Sequence, residues 1–103
     1  MNASDSDLLR QFARDGSEAA FAELVRRHVD LVFSAALRQV DPDVHAAEDV
    51  TQVVFTDLAR KAGKLGHLTS LAGWLYGSTR FEAMQHHRTK FRRITRETAA
   101  HAM

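Results

Sequence analysis

The chain has 103 residues, of which 45% are hydrophobic and 26% are charged, a composition that predicts one globular domain with one modest core. It contains no cysteine, which excludes a disulfide framework and thiolate metal ligation and favours a reducing compartment. The amino end has Asp5, Asp7 and Arg10 where a signal peptide needs an apolar run, and no stretch is long enough to cross a membrane. We therefore expect a soluble cytoplasmic protein without a membrane partner.

The charges are unevenly distributed along the chain, although the net charge is only +1. Residues 1–57 carry 5 Lys and Arg against 11 Asp and Glu, whereas residues 58–103 carry 9 against 2. A basic half suits a polyanion such as nucleic acid, and an acidic half suits a basic protein surface. The alternative is that both halves present solvated charged faces without a partner.

Helical signals dominate the sequence, which has one proline, five glycines and no alternation of β-branched residues. We predict an all-α fold of four helices. The first helix runs from about Asp5 to Arg14 and ends at Asp15-Gly16, because glycine readily closes a helix. The second starts after a Ser17 N-cap. It runs to about residue 40, and its predicted core face is Phe21, Leu24, Val25, His28, Leu31, Val32, Ala35 and Ala36.

The third helix is predicted to open with Asp41 as its cap and Pro42 at its first helical position, where the missing N–H costs nothing. Cations in the last turn and a terminating glycine predict that this helix ends at Lys61, with Gly63 just beyond it.

A loop at residues 64–70 separates the third helix from a long fourth helix, which we expect Thr69 or Ser70 to cap. From residue 80 onward the fourth helix is polar and basic and has few apolar residues to bury, so its end should fray. Residues 97–103 are expected to be the start of a linker or an artificial chain end.

Enzymatic and metal chemistry find little support in the sequence. His45, Glu48 and Asp49 lie at helical spacing on one face and could hold a divalent metal, but a polar helix offers such triplets by chance. We interpret them as a solvated or partner-facing patch. No nucleophile with a neighbouring base and no glycine-rich phosphate loop is visible. We expect no catalysis, no metal and no cofactor.

Two segments carry a family resemblance. Residues 46–58 read AAEDVTQVVFTDL, similar to the AEDxxQxxFxxL helix of sigma factors, and residues 71–76 read LAGWLY, similar to the WLY opening of the helix that follows. The order of elements also matches, and residues 5–96 are covered. The chain thus resembles region two of a bacterial RNA polymerase sigma factor of the extracytoplasmic function (ECF) type. The resemblance implies a four-helix orthogonal bundle over residues 1–96.

The resemblance assigns the third helix to a protein interface. In the family this helix binds a coiled coil on the clamp of the largest subunit of core RNA polymerase. Carboxylates beside amides can accept charge-assisted hydrogen bonds from arginines of such a partner, and simple solvation is the alternative. Phe55 and Leu58 are expected in the core instead. The implied polymerase-binding residues are Asp49, Gln52, Val53 and Thr56.

The resemblance assigns the other surface to promoter DNA. Family members melt the minus-ten element and capture a flipped-out base of the non-template strand between the loop before the WLY helix and that helix. Cations for phosphates and a planar side chain for stacking are the chemistry that single strands need. The implied DNA-binding residues are Lys64, His67, Arg80, Phe81, Met84, Gln85, Arg88 and Arg92.

One departure from the family pattern affects base preference. Many relatives have asparagines seven and eleven residues after the tryptophan, where this chain has Phe81 and Gln85. Phe81 either stacks on a base or is buried. We expect Trp74 to be mostly in the core and Tyr76 to keep its hydroxyl near water.

The function predicted from these features is binding of core RNA polymerase and opening of promoters, with no chemical step of its own. An anti-sigma factor is an additional candidate partner. The family usually carries a helix-turn-helix domain for the minus-thirty-five element, which these 103 residues do not contain. The alternative function is a helical protein-protein interaction module, a regulator or antagonist that does not bind DNA.

Overall fold

The computed structural model describes residues 2–102 and contains four α-helices over that range. They are α1 (Asp5–Asp15), α2 (Glu18–Val40), α3 (Val44–Lys61) and α4 (Leu71–Ala102), and a short 3-10 turn (Ala62–Lys64) follows α3. Residues 2–102 include no β-strand, and the predicted all-α fold is confirmed. None of the helices in the described part of the chain is both long and apolar enough to span a membrane.

Local capping signals define α1 and the start of α2. Ser4 and Asp7 form a capping box, in which the Ser4 hydroxyl accepts from the Asp7 amide at 3.1 Å and the Asp7 carboxylate accepts from the Ser4 amide at 3.3 Å. Gly16 has φ 65°, and its N–H donates to the Phe12 carbonyl at 2.9 Å. The Ser17 hydroxyl accepts from the Ala20 amide at 3.1 Å. The predicted Gly16 end and Ser17 cap are therefore confirmed.

The start of α3 differs from the prediction that Asp41 caps and Pro42 opens the helix. The N-cap is Asp43, whose carboxylate accepts from the Ala46 amide at 3.0 Å, and this bond lowers the pKa of Asp43. Asp41 instead closes α2. The physical reason is a turn between the two helices, in which the Asp43 N–H donates to the Val40 carbonyl at 2.9 Å. That bond satisfies a carbonyl at the end of α2 and delays α3 by two residues.

The end of α3 also differs in detail from the prediction. The helix ends at Lys61 as expected, but Gly63 does not adopt the left-handed conformation that a terminating glycine usually takes. The chain continues into the 3-10 turn, whose Ala62 carbonyl accepts from the Leu65 amide at 3.3 Å. Ala62 and Leu65 are both buried, so packing of this turn on the core replaces the glycine stop.

The core lies where α2 contacts the other three helices. Leu24, Leu58 and Leu75 are fully buried, and each comes from a different helix. Phe55 and Leu58 are in the core, as predicted. The predicted core face of α2 is confirmed for Leu24, Val32, Ala35 and Ala36, but Leu31 is 39% exposed and lies outside the core. The core thus fixes α3 and α4 against a common central helix.

The second half of α4 extends away from this bundle. Every residue from 87 to 101 is exposed, and the molecule measures 62 Å along its longest axis against 23 and 22 Å across. The last polar contact with the bundle is the His87 Nε2, which donates to the Gln39 carbonyl at 2.9 Å. The predicted lack of burial is confirmed for residues 87–101. The helix continues to Ala102, and the fraying of this end stays a prediction.

Candidate protein and nucleic-acid interfaces

The outward face of α3 presents the four residues that the sequence assigns to polymerase binding. Asp49, Gln52, Val53 and Thr56 are all exposed, and Val53 is 42% exposed although it is apolar. Their spacing of three and four residues places them on neighbouring positions of one helical surface. The opposite side of α3 is anchored by Val50, Val54, Phe55 and Leu58, which are buried. The face is therefore held by a rigid, well-packed helix. We refer to these four exposed residues as the α3 face.

A groove of about 260 Å³ runs between α3 and α4 beside the α3 face. Asp49 and Val53 line it from α3, and Glu82, Gln85 and Thr89 line it from α4. Gln85 is half-buried here, whereas the other α4 residues predicted to bind DNA are exposed. The structure thus brings one predicted DNA-binding residue next to two predicted polymerase-binding residues. We call this space the α3–α4 groove.

The outward side of α4 carries the remaining predicted DNA-binding residues of that helix. Phe81 is 55% exposed and Met84 is 53% exposed, so burial of Phe81 is excluded and its ring is open to a partner. Trp74 is half-buried and packs against the core, while Tyr76 is 41% exposed. In residues 2–102 no α4 arginine or lysine forms an ion pair. The exposed cations of this side are Arg80, Arg88 and Arg92.

Arg26 and Arg27 of α2 differ from the cations of α4, because both form ion pairs with carboxylates. Arg27 donates to Glu23 at 2.9 Å and to Asp5 at 3.2 Å, and Glu23 also accepts from Arg26. These hydrogen bonds from Arg26 and Arg27 lower the pKa of Glu23. Asp5 is also hydrogen-bonded to His28, at 2.8 Å. Arg26 and Arg27 are therefore neutralised by carboxylates, unlike Arg80, Arg88 and Arg92 of α4.

The loop before α4 does not lie on the outward side of that helix. Lys64 and His67 are exposed, but the loop packs against the amino end of α1. Between them lies an open cavity of about 320 Å³, lined by Leu68, Thr69 and Ser70 of the loop and by α1-end residues such as Ser6. The Ser70 hydroxyl accepts from the Gly73 amide at 3.1 Å and caps α4. Sequence reasoning missed the contribution of α1, because nothing local connects residues 4–6 with residues 65–72.

A second open groove, of about 540 Å³, lies between the carboxyl end of α3 and the first turns of α4. Trp74 and Phe81 form its aromatic wall, and Asp57, Lys61 and Glu82 contribute charges. Partial burial and, next, the nearby Asp57 carboxylate raise the pKa of Glu82. No local pattern predicts this approach of two carboxylates, since residues 57 and 82 belong to different helices.

The triplet considered for a metal site is exposed on α3. His45, Glu48 and Asp49 all lie at the surface, and within the described residues no group of three His, Asp or Glu side chains has the geometry to hold a metal ion. Glu48 instead lies beside the α3 face and adds to the negative charge of Asp49.

Comparison with known proteins agrees with the arrangement of these elements. A family model for sigma-70 region 2 matches residues 24–93, which span most of α2, all of α3, the loop and much of α4. Searches of curated proteins and of solved structures found no significant match. The matched range contains the α3 face and the exposed cations of α4, and it covers more than half of the chain. The chain therefore belongs to the sigma-70 region 2 family, and as such it is a sigma factor domain that acts in promoter recognition and binding of RNA polymerase.

Proposed function

We propose that this chain is region two of a bacterial ECF sigma factor that docks on the clamp coiled coil of core RNA polymerase and melts the minus-ten promoter element. The observation that carries the proposal is the separation of two chemically opposite surfaces. The α3 face combines a carboxylate with amide and hydroxyl groups on a rigid helix, whereas α4 presents unpaired cations along an exposed helix.

The α3 face suits a basic helical partner. Asp49 and Gln52 can accept hydrogen bonds from arginine side chains, and Val53 adds an exposed apolar contact on the same face. Glu48 lies next to the face and adds to its negative potential. A partner helix with arginines facing α3 would therefore gain both charge complementarity and apolar burial.

The outward side of α4 suits a single nucleic-acid strand. Arg80, Arg88 and Arg92 recur along the helix and can contact successive phosphates, while the open ring of Phe81 offers a stacking surface. Such stacking typically contributes about 1–3 kcal/mol per base. Phe81 stands where many relatives carry an asparagine, so we propose that it holds a base by stacking instead of by reading its edge.

The cavity beside the loop supports the proposed capture of a flipped-out base. Its lining by Leu68, Thr69 and Ser70 combines apolar contact with hydroxyl groups, the chemistry that holds an unstacked base. Lys64 and His67 are exposed on the same connection and would contact the phosphates on either side. Flipping costs a few kcal/mol, which these contacts and the α4 cations would offset.

Two further proposals follow from the function. The chain would work in the bacterial cytoplasm, where core polymerase is found. An anti-sigma factor would inhibit it by covering the α3 face, since one surface cannot bind two proteins at once.

The decisive experiment measures binding of the 103-residue chain to the isolated clamp coiled coil at two salt concentrations. We expect the double variant Asp49→Ala, Gln52→Ala to bind with more than about tenfold lower affinity, because each substitution removes a hydrogen-bond acceptor from the interface. The matched control is Asp30→Ala, Gln11→Ala, which removes the same residue types from exposed positions outside the α3 face.

The outcome of this experiment also separates the two candidate functions. Equal binding by the two double variants would contradict the assignment of the α3 face. A folded wild-type chain that binds neither the coiled coil nor single-stranded DNA would instead favour a helical interaction module with another protein partner.

A further inference from the structure

The α3–α4 groove contains residues that the sequence assigns to two different partners. Asp49 and Val53 belong to the proposed polymerase-binding face, and Gln85 belongs to the helix that carries the DNA-binding residues. Of the six α4 residues assigned to DNA, Gln85 alone is half-buried, while Arg80, Phe81, Met84, Arg88 and Arg92 are exposed. The position of Gln85 therefore needs a separate explanation.

Helix packing geometry explains why a partner on α3 would reach α4. Packed helices lie about 8–10 Å apart, and a helix with its side chains is about 10–12 Å wide. A third helix that docks on such a pair settles into the groove between them and contacts both. Val53 lines this groove and is 42% exposed, so an apolar side chain of the partner would bury apolar surface by packing against it.

The charges of the groove select the kind of helix that can fill it. Asp49 lies on the α3 side and Glu82 on the α4 side, and Gln85, His86 and Thr89 follow along α4. Two carboxylates on opposite banks attract arginine or lysine side chains and repel phosphates. Gln85 can donate to and accept from such a partner, since its amide has both kinds of group.

We propose that Gln85 and Thr89 belong to the polymerase-binding surface, where they contact a basic partner helix seated in the α3–α4 groove, and that Gln85 does not read a promoter base. This inference rests on the proposed function, in which the basic helix is one strand of the clamp coiled coil. The partner surface then comprises the α3 face together with one bank of α4.

Replacement of Gln85 by lysine tests the proposal, because the two assignments predict opposite signs. A cation in the groove repels a basic helix, so we expect Gln85→Lys and Thr89→Lys each to weaken coiled-coil binding by about tenfold or more. Affinity for a fluorescein-labelled single-stranded oligonucleotide should stay the same or rise up to about threefold, since the added charge favours phosphates. The matched control, Thr98→Lys, adds the same charge on the exposed part of α4 outside the groove.

Gln85→Ala adds a second readout without a new charge. It should weaken coiled-coil binding and leave the oligonucleotide affinity within about twofold of wild type. Alanine favours helix, so the variant should retain the wild-type circular dichroism spectrum. A loss of oligonucleotide binding with unchanged coiled-coil binding would overturn the proposal.

The double variant Asp49→Ala, Gln52→Ala, measured in the same assay, separates this inference from the proposed function. If that variant loses coiled-coil binding while Gln85→Lys and Thr89→Lys bind like Thr98→Lys, the function stands and the extension onto α4 is wrong. If a folded wild-type chain does not bind the coiled coil at all, both are overturned.

Discussion

The two halves of α4 differ in how they are held, although they form one continuous helix. Leu71, Leu75, Thr79 and Ala83 bury the first half against the bundle, and the Thr79 hydroxyl donates to the Leu75 carbonyl at 2.7 Å. In the second half, residues 87–101 are all exposed. A protein interface needs side chains fixed in position, which the packed half provides, whereas phosphate binding needs mainly a row of cations. The packed half therefore fixes Arg80, Phe81 and Gln85 in position, whereas the exposed half adds a row of cations.

The largest expected effect is a loss of stability when the packed half of α4 is disrupted. Leu75 is fully buried, so Leu75→Ala should destabilise the chain by about 2–5 kcal/mol through lost burial and a cavity. The control is Ile94→Ala in the exposed second half of α4. Ile94 is 48% exposed, so this substitution should change stability by less than about 0.5 kcal/mol. Thermal or urea unfolding followed by circular dichroism measures both. Similar losses in the two variants would show that the second half also packs in solution.

The next effect concerns the cations of the free half. Replacing Arg88, Arg92, Arg93 and Arg96 by glutamine should reduce single-strand affinity by more than about tenfold and flatten its salt dependence, because each phosphate contact releases counterions. Coiled-coil binding should persist. The control replaces Arg10, Arg14, Arg26 and Arg38, four exposed arginines outside α4. Fluorescence anisotropy at several salt concentrations gives both slopes, and equal slopes for the two sets would contradict a specific role for α4.

A smaller effect tests where α3 begins. Asp43→Ala removes the N-cap bond to the Ala46 amide and should lower Tm at neutral pH, whereas Asp41→Ala should not. Folding lowers the pKa of Asp43, so its contribution is present above the unfolded pKa and is lost as pH falls through the folded pKa. The difference between the two variants should therefore shrink in acid. A larger loss from Asp41→Ala would support a helix that opens at Pro42.

The smallest effect has the opposite sign. Folding raises the pKa of Glu82, so the wild-type chain loses stability as pH rises from the unfolded pKa through the folded pKa. Glu82→Gln removes this loss and should raise Tm slightly at neutral pH, with the gain disappearing in acid. Glu97→Gln, in the free half, is the control and should leave Tm unchanged. A gain in Tm that does not depend on pH would point to packing as its cause. It would also mean that the Glu82 and Asp57 carboxylates do not affect each other.

The features that sequence could predict depend on neighbouring residues. The cap at Ser17 and the helix end at Gly16 can be predicted, because a cap and a left-handed glycine act within one turn. The burial of Phe55 and Leu58 can be predicted as well, because helical spacing marks a buried face. The prediction of Asp41 as the cap of α3 was wrong, because Asp43 can also cap and its N–H donates to the Val40 carbonyl in the turn that precedes the helix.

The features that sequence could not predict depend on how helices pack. The exposed character of Arg80 and Arg88 follows from composition, but the half-buried position of Gln85 depends on the distance between α3 and α4. The same holds for the approach of Glu82 to Asp57, which raises the pKa of Glu82, and for the contact of the loop with α1. No local pattern encodes these distances.

The continuity of α4 has a mechanical consequence. At 1.5 Å per residue, the part from His87 to Ala102 extends roughly 24 Å from the bundle. A flexible tail of the same length would reach a similar mean distance but in every direction. A helix that continues from a packed first half has a defined direction as well as a defined length. A nucleic-acid strand bound along it would leave the bundle on one defined path.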